Sequence, residues 1–186
     1  MQVIKTKLSD ALIIEPKIFS DDRGYFLETH NAQRYIESGL NVKFVQDNFS
    51  CSDKNVLRGM HFQKKYPQGK LVSVSLGKVF DVIVDLRPNS PTFGEWLGVE
   101  LDDQSHRQLY VPPGFAHGFY VLSDRAHFHY KCTDYYHPED EGGIIWNDET
   151  INIDWPLQGE PVVSEKDQAY SGLSDLKRGI FCDVST

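Results

Sequence analysis

The chain has 186 residues, 40% of them hydrophobic and 12% aromatic, which suits one well-filled core and is short for two domains. We therefore expect a single domain over residues 1–186. Its 19 Lys and Arg residues stand against 27 Asp and Glu, and the net charge of -8 argues against a nucleic-acid partner. A small anionic ligand is still compatible with this charge, because nearby side chains set the field of a pocket.

The cysteines and the N-terminal segment predict a soluble, cytoplasmic protein. Cys51, Cys132 and Cys182 are odd in number and widely spaced, without a CxxC pair, so neither a disulfide framework nor a thiolate metal site is indicated. The first residues lack the apolar run of a signal peptide. Nowhere do about 18 consecutive apolar residues occur, so we expect no membrane partner.

Two short stretches predict peripheral helices. The first runs from Ala32 to Ser38, ahead of Gly39, and the second begins near Ser164. Ser164 is followed three residues later by Asp167, a spacing that resembles a helix capping box.

The centre of the chain is typical of short strands. Residues 70–87 (KLVSVSLGKVFDVIVDLR) contain two β-branched-rich runs broken by Gly77-Lys78, which predicts a β-hairpin. Further runs follow at spacings of about ten residues, namely WLGVEL, RQLYVP, GFYVLS and HFHYKCTDYY. Residues 137–143 (HPEDEGG) predict a surface loop. The fold class we expect is all-β, a jelly-roll β-barrel with a few short peripheral helices.

The densest polar stretch precedes this strand region and reaches its first residue. It contains Gln46, Asn48, Arg58, His61 and Lys70. Side chains at i and i+2 share one face of a strand, so alternation can direct several of them into one cavity. Inward polar groups are costly unless they are hydrogen-bonded or line a wet ligand site. Solvated loop residues are the competing interpretation.

His61 and His117 raise the question of a metal. Metal-binding jelly rolls commonly carry an HxH pair, but Gln63 stands two residues after His61, and PPGFAHGF supplies only His117. At most two imidazoles remain where a stable site takes three or more ligands, so we expect no bound metal. The other histidines are interpreted as ordinary core or surface residues: His30, His106, His127, His129 and His137.

Four residues have the side chains that proton transfer requires. A carboxylate on the far nitrogen of His61 would stabilise its imidazolium, and Asp167 is the candidate, although the capping box explains that residue at least as well. Lys70 can neutralise an enolate oxygen and Tyr130 can deliver a proton. A strand Lys is ordinarily exposed and a strand Tyr is ordinarily core, so the residues alone leave these alternatives open.

Several stretches, in one order from about residue 19 to residue 167, together resemble the dTDP-4-dehydrorhamnose 3,5-epimerase family of the cupin superfamily. They are FSDDRGYFLE, QDNFSCS, LRGMHFQ, QGKLVSVSLGKVFDVIVDLRPNSPTFGEW, VPPGFAHGF, YKCTDYY, WNDETINIDWP and SEKD.

The resemblance implies a catalytic role for each of the four residues. It makes His61 the base, paired with Asp167, and Tyr130 the acid on the opposite face of the sugar, with Lys70 at the C4 oxygen. The C4 ketone acidifies the C–H bonds at both C3 and C5, and two opposed proton carriers invert a centre. No redox or metal cofactor is required, because the substrate carbonyl is the electron sink.

The resemblance also implies a pocket for a dTDP-sugar and a homodimer in which one subunit helps to build its neighbour's pocket. The residues matched to substrate binding are Arg23, Glu28, Gln46, Asn48, Arg58, His117, Tyr136, Glu141 and Lys166. Arg23 and Arg58 suit a pyrophosphate, since a guanidinium forms forked, charge-assisted bonds. The family also places Asp81 within the pocket, near the His61–Asp167 pair, although the residues themselves give it no firm role. Its implied product serves rhamnose-containing surface polysaccharide such as lipopolysaccharide O-antigen.

Three other functions compete with double epimerisation. An epimerase acting at C3 or C5 alone would share the same acid and base residues. A cupin that only binds a sugar nucleotide would be expected to lose at least one of the four catalytic residues. A metal-dependent cupin oxygenase is disfavoured by Gln63.

Overall fold

The computed structural model describes residues 1–176, and β-strands dominate them. The strands are β1 Gln2–Lys5, β2 Leu12–Glu15, β3 Ile18–Asp21, β4 Gly24–Leu27, β5 Gln46–Asp53, β6 Val56–Gln63, β7 Lys70–Leu76, β8 Lys78–Asp85, β9 Trp96–Asp102, β10 Gln108–Val111, β11 Phe115–Val121, β12 Arg125–Cys132, β13 Glu141–Gly143 and β14 Val162–Val163. Two short helices accompany them, α1 Ala32–Glu37 and α2 Glu165–Gln168. The expected all-β class with short peripheral helices is confirmed.

Two antiparallel sheets face each other. Sheet I has the strand order β1-β2-β10-β7-β12-β5, and sheet II has the order β13-β6-β11-β8-β9, with β14 added parallel to β6. Apolar residues at alternate positions of the inner strands, such as Val72, Val74, Ile83 and Phe128, meet between the sheets in the main core. This is the layered arrangement of a jelly roll.

Further apolar clusters cover the outer face of each sheet. Leu57, Tyr120 and Trp155 belong to the cluster on sheet II, which the segment after β13 covers. Tyr35 of α1 packs with Leu71 in the cluster on sheet I. Connecting segments therefore pack against the outer faces of both sheets.

The hairpin predicted for residues 70–87 is wrong. β7 pairs with β10 and β12 in sheet I, whereas β8 pairs with β9 and β11 in sheet II. Gly77, with φ of +79°, turns the chain from one sheet into the other, and a Cβ there would lie 2.0 Å from the carbonyl oxygen of Arg125. The glycine that predicts a hairpin turn therefore lies at a corner between sheet I and sheet II.

The four later runs are confirmed as strands, namely β9, β10, β11 and the first part of HFHYKCTDYY in β12. The surface loop predicted for residues 137–143 is only partly correct. Pro138–Asp140 forms a 3-10 turn, and Glu141–Gly143 pairs with β6. Asp140 is buried, and its carboxylate accepts the backbone N–H groups of Lys65 and Tyr66. A polar composition concealed a strand that closes one edge of sheet II.

Both predicted helices are present. The side chain of Asn31 accepts from the backbone N–H of Arg34 at the start of α1, and Ser164 caps α2 in the same way. No helix within residues 1–176 is long and apolar enough to span a membrane.

The hairpin formed by β3 and β4 stands apart from the two sheets. It pairs only with itself among the described strands, and its aromatic residues Phe19, Tyr25 and Phe26 are 51%, 56% and 70% exposed. Three exposed aromatic rings on one small ribbon form an unusual apolar surface.

Candidate active site

A hydrogen-bonded pair formed by His61 on β6 and Asp167 on α2 lies at the centre of the candidate site. His61 Nε2 is 2.8 Å from Asp167 Oδ1, while Asp167 Oδ2 accepts the backbone N–H of Gly59 at 3.1 Å. Asp167 is only 3% exposed. When Nε2–H is donated to the carboxylate, Nδ1 keeps its lone pair and can accept a proton.

Asp167 takes part in the helix cap and also pairs with His61. Its backbone N–H donates to Oγ of the N-cap Ser164 at 3.1 Å, so the cap leaves the carboxylate available for His61. Burial by itself raises the pKa of Asp167, but the hydrogen bonds from His61 and Gly59 outweigh it and hold the pKa below its usual value. The carboxylate is therefore ionised at neutral pH.

Strand β6 presents both Arg58 and His61 to the space between the sheets. In the pairing of β6 with β11, His61 stands opposite His117 and Arg58 stands opposite Phe119. A step of three residues on β6 thus matches two on β11, which is a β-bulge. Simple alternation would have placed Arg58 and His61 on opposite faces, and the bulge puts them on one.

Lys70 and Tyr130 come from the opposite side, since β7 and β12 belong to sheet I. Two cavities between the sheets share His61, Lys70 and Tyr130. The outer cavity, of about 310 Å³, is lined by Gln46, Asn48, His61, Phe62, Gln63, Gln68, Lys70, Tyr130, Tyr136 and Glu141. The inner one, of about 170 Å³, is lined by Ser50, Arg58, His61, Lys70, His117, Gly118, Phe119, Phe128 and Tyr130. A ligand in this space has His61 on one side and Tyr130 on the other.

Burial changes the acidity of both residues from sheet I. Desolvation lowers the pKa of Lys70, although the nearby Cys132, Asp81 and Glu141 counteract the shift. Desolvation raises the pKa of Tyr130, which keeps the phenol protonated at neutral pH. The site thus contains a phenolic proton donor and a lysine whose proton is held less firmly than in water.

A second His–Asp pair borders the inner cavity, which His117 lines. His117 Nε2 is 2.9 Å from Oδ2 of Asp81, and both residues are buried. Burial lowers the pKa of His117 and raises that of Asp81, while their attraction opposes both changes. Asp81 does not line either cavity. It is hydrogen-bonded to His117, and its carboxylate is close enough to influence the pKa of Lys70.

Polar side chains at the mouth of the outer cavity are joined by hydrogen bonds. Gln46 Nε2 donates to Asn48 Oδ1 at 3.0 Å, and Gln46 Oε1 accepts the backbone N–H of Tyr136 at 3.0 Å. The Tyr136 hydroxyl and Lys166 Nζ each donate to Glu141 at 2.8 Å. The structure therefore brings together all five of these predicted binding residues.

Arg23 and Glu28 are not brought into the cavity of the same chain. Arg23 lies in the exposed β3–β4 hairpin and pairs with Asp21, with its side chain 89% exposed. Glu28 follows β4 and accepts hydrogen bonds from Asn31 and Arg34. The other predicted site residues lie in or beside the two cavities, whereas Arg23 and Glu28 line neither of them.

The five histidines interpreted as ordinary residues lie outside both cavities. His129, for example, faces the outside of sheet I, where Nε2 is 2.6 Å from Ser75 Oγ. Among the described residues, no three His, Cys, Asp or Glu side chains cluster closely enough to hold a metal ion. Cys51 and Cys132 are unpaired thiols, and Cys182 lies outside the described residues.

Sequence reasoning missed several residues of the site. Gln63 and Gln68 line the outer cavity, but Gln63 entered the sequence argument only as the residue that replaces a metal-binding His. Tyr170 approaches His61, with ring centroids 5.9 Å apart. Its ring occupies the space above Gly143, where a Cβ would lie 2.3 Å from it. The LRGMHFQ motif marks Gln63, whereas no sequence signal marks Tyr170.

Comparisons with known proteins point to one family. The family model described as dTDP-4-dehydrorhamnose 3,5-epimerase matches residues 5–175. The dTDP-4-dehydrorhamnose 3,5-epimerase of Escherichia coli is 54% identical over 180 residues, which are 96% of this chain and 97% of that protein. The enzyme of the same name from Salmonella typhimurium is 56% identical over 171 residues, 91% of this chain and 93% of that protein.

A solved structure matches nearly the full length of both chains. It is the crystal structure of dTDP-6-deoxy-D-glucose-3,5-epimerase from Legionella pneumophila in complex with dTDP-4-keto-L-rhamnose. The TM-score is 0.95 at 51% identity, and the match covers 100% of this chain and 99% of that one.

Proposed function

Because the chain belongs to the dTDP-4-dehydrorhamnose 3,5-epimerase family, we propose that it uses the site between its sheets to invert C3 and C5 of dTDP-4-dehydro-6-deoxy-D-glucose. The product is dTDP-4-dehydro-L-rhamnose. The observation that carries this assignment is the arrangement of the His61–Asp167 pair on one sheet with Tyr130 and Lys70 on the other.

His61 removes the proton at each centre. Nδ1 takes the proton from the carbon next to the C4 ketone, and the electrons of the C–H bond move to the C4 oxygen. Asp167 stabilises the imidazolium that forms, because its carboxylate is ionised and held by Gly59 as well. The ketone is the electron sink, so proton transfer needs no redox cofactor.

Lys70 and Tyr130 complete each inversion. The Lys70 ammonium stabilises the enolate oxygen, and Tyr130 gives its hydroxyl proton to the carbon from the opposite face. His61 has then gained one proton and Tyr130 has lost one. Both must exchange with solvent before the second centre reacts, which suits a site that opens into the outer cavity.

The nucleotide occupies the mouth of the site. Tyr136 provides a ring for the base, and the amides of Gln46 and Asn48 provide donors and acceptors beside it. Arg58 and His117 line the inner cavity and contact the sugar and phosphate region. Glu141 and Lys166 orient Tyr136 through their shared hydrogen bonds.

Arg23 and Glu28 serve the pocket of a second subunit in a homodimer. The support is their absence from the pocket of their own chain and the three exposed aromatic rings on the hairpin that carries Arg23. Burying such rings against a second copy would be favourable by about 1.5 to 3 kcal/mol for each large side chain.

The cellular setting that we propose is a single-domain cytoplasmic enzyme that supplies a rhamnose precursor for surface polysaccharide such as O-antigen. The support is the family membership together with the acidic composition and the unpaired cysteines Cys51 and Cys132.

The first experiment follows the H3 and H5 NMR signals of dTDP-4-dehydro-6-deoxy-D-glucose in heavy water with metal-free protein. Loss of both signals with formation of a new product is expected. Loss of one signal would make the protein a single-site epimerase. Loss of neither would overturn the proposed function and leave either a protein that only binds a sugar nucleotide or an enzyme with a different substrate.

The Tyr130→Phe variant tests whether one acid serves both carbons. If Tyr130 is the donor at C3 and at C5, the variant should form no inverted product at either carbon while His61 still exchanges protons on one face. Product inverted at C3 alone would show that another group donates there.

A further inference from the structure

Gln63 is a buried residue in the site whose polar atoms are all engaged. It is the last residue of β6 and is 5% exposed. Its Nε2 donates to the carbonyl oxygen of Tyr66 at 2.7 Å and to that of Tyr135 at 3.1 Å. Its Oε1 accepts the backbone N–H of His137 at 2.7 Å. One side chain thus ties two loops, residues 64–69 and 133–140, at the cavity mouth.

Two of these bonds fall on either side of Tyr136. Gln63 holds the carbonyl of Tyr135 and the N–H of His137, so the backbone is fixed immediately before and after Tyr136. The N–H of Tyr136 itself donates to Gln46. Three consecutive residues of an otherwise exposed loop are therefore anchored to strands β5 and β6.

This anchoring determines where the Tyr136 ring stands. Tyr136 is 49% exposed, so packing does not hold its ring. Its hydroxyl reaches Glu141 only if the backbone of residues 135–137 keeps its position. Glu141 lies directly opposite Gln63 in the pairing of β13 with β6, so the anchor and the acceptor belong to neighbouring strands.

We propose that Gln63 is a positioning residue for the nucleotide end of the substrate, acting through Tyr136. This inference rests on the proposed function, because it takes Tyr136 as a contact of the nucleotide. An amide suits the role since it donates from one end and accepts at the other. His61, two residues earlier on the same strand, carries out the chemistry, while Gln63 governs binding.

The test compares Gln63→Met with Gln104→Met. Methionine has nearly the same length and cannot form the three bonds, and Gln104 is an exposed residue in the turn after β9, bonded to Asp103. Gln63→Met should raise both the Kd for dTDP and the KM for the substrate by about tenfold. Its kcat should stay within about twofold of that of the unmodified enzyme. Gln104→Met should change none of these constants.

Gln63→Glu provides a second, graded variant. The carboxylate still accepts from His137 but faces the two carbonyl oxygens without a proton. At lower pH it becomes protonated and regains one donor. The ratio of its dTDP Kd to that of the unmodified protein should therefore shrink as the pH falls. A role in folding alone predicts no such recovery, and this variant carries the test if Gln63→Met does not fold.

Hydrogen exchange at the His137 amide separates this proposal from the proposed function. The amide should exchange faster in Gln63→Met whether or not the protein turns over substrate. Faster exchange with an unchanged dTDP Kd would overturn the positioning role. A lowered kcat with an unchanged KM would do the same. If the unmodified protein binds no dTDP, the proposed function fails instead.

Discussion

At the scale of single residues, the backbone N–H of Asp167 serves the helix cap while its carboxylate pairs with His61, and this separation leads to a prediction. Asp167→Asn should lower kcat by about 100-fold to 10,000-fold, because an amide cannot stabilise the imidazolium and can favour the tautomer with the proton on Nδ1. The dTDP Kd should not change. Steady-state kinetics and calorimetric titration of dTDP measure the two quantities.

Ser164→Ala is the matched control for this substitution. It removes the helix cap at a cost of about 1 kcal/mol in stability while leaving the carboxylate of Asp167 in place. A loss of kcat as large as that of Asp167→Asn would mean that Asp167 acts only through the helix.

The Asp167 pair also predicts a pH dependence of stability. Folding lowers the pKa of Asp167 from its usual 3.8, so the ionised carboxylate stabilises the fold above that pH. This stabilisation is lost as the pH falls through the folded-state pKa. The difference in unfolding free energy between the unmodified protein and Asp167→Asn should therefore shrink below about pH 4, and denaturant titrations at several pH values would measure it. A difference that stays constant would contradict the assignment.

Lys70 should limit activity at high pH. Burial lowers its pKa, so Lys70 loses its proton at a lower pH than an exposed lysine, whereas burial raises the pKa of Tyr130 and the phenol keeps its proton to higher pH than an exposed tyrosine. Once Lys70 is deprotonated, the enolate loses its stabilising charge. Lys70→Arg should have a lower kcat/KM, since a guanidinium fits the position less well, but its alkaline limb should lie at higher pH because arginine stays ionised. An alkaline limb at the same pH in both proteins would assign it to another group.

At the scale of elements, β6 and β11 lie in close contact beside the site. A Cβ on Gly118 would lie 2.6 Å from Met60 Sδ and 2.7 Å from the carbonyl oxygen of Arg58. Gly118→Ala should therefore destabilise the protein by about 1 to 3 kcal/mol through overpacking and displace Arg58 relative to His61. Chemical denaturation and kcat/KM would report both effects.

Gly39→Ala separates crowding from backbone preference. Gly39 follows α1 with φ of +96°, and a Cβ there would meet no atom within 4 Å. We expect a cost of about 1 to 2 kcal/mol from the left-handed backbone and no change in kcat/KM. An equal loss of activity in both variants would show that the β6–β11 contact has no special role in the site.

The sequence predicted the element types well and their partners poorly. Strands β9–β12 follow from alternation and punctuation by Gly and Pro, which are local properties. Gly77 predicts a hairpin turn but forms a corner between the sheets, because both require the same backbone freedom. The bulge that aligns Arg58 with His61 has no local signal either, since it exists only in the register between β6 and β11.

The residues of the site were predicted to a similar extent. The family motifs identified His61, Lys70 and Tyr130, and the structure places them around a common space. The sequence around Asp167 fits both a helix cap and a partner for His61, because a pattern of spacing cannot distinguish the backbone N–H from the carboxylate. The role of Gln63 depends on loops that are distant in the sequence, and no spacing rule reveals it.

At the scale of the whole molecule, the exposed hairpin predicts that active sites are shared between subunits. Arg23→Ala and His61→Ala homodimers should each be inactive or strongly impaired. When the two are mixed, unfolded and refolded together, each mixed dimer contains one site with both native residues. About half of the dimers are mixed, so the activity should return to roughly a quarter of the unmodified level, as expected for an isologous pair.

Sedimentation of the same mixture checks that the protein is dimeric, and native mass spectrometry with one variant isotope-labelled checks that mixed dimers have formed. Mixed dimers without recovered activity would show that Arg23 serves its own subunit or no site. A monomeric unmodified protein at micromolar concentration would contradict the shared-site arrangement altogether.

The distance in sequence between the two halves of the catalytic pair has a consequence for biogenesis. His61 and Asp167 are 106 residues apart along the chain. At about 5 to 20 residues per second, a ribosome needs roughly 5 to 20 s to proceed from one to the other. A nascent chain that already carries the histidine, lysine and tyrosine of the site therefore still lacks the aspartate. The complete catalytic pair can form only after residue 167 has been synthesised, so fragments that stop before it lack the carboxylate partner of His61.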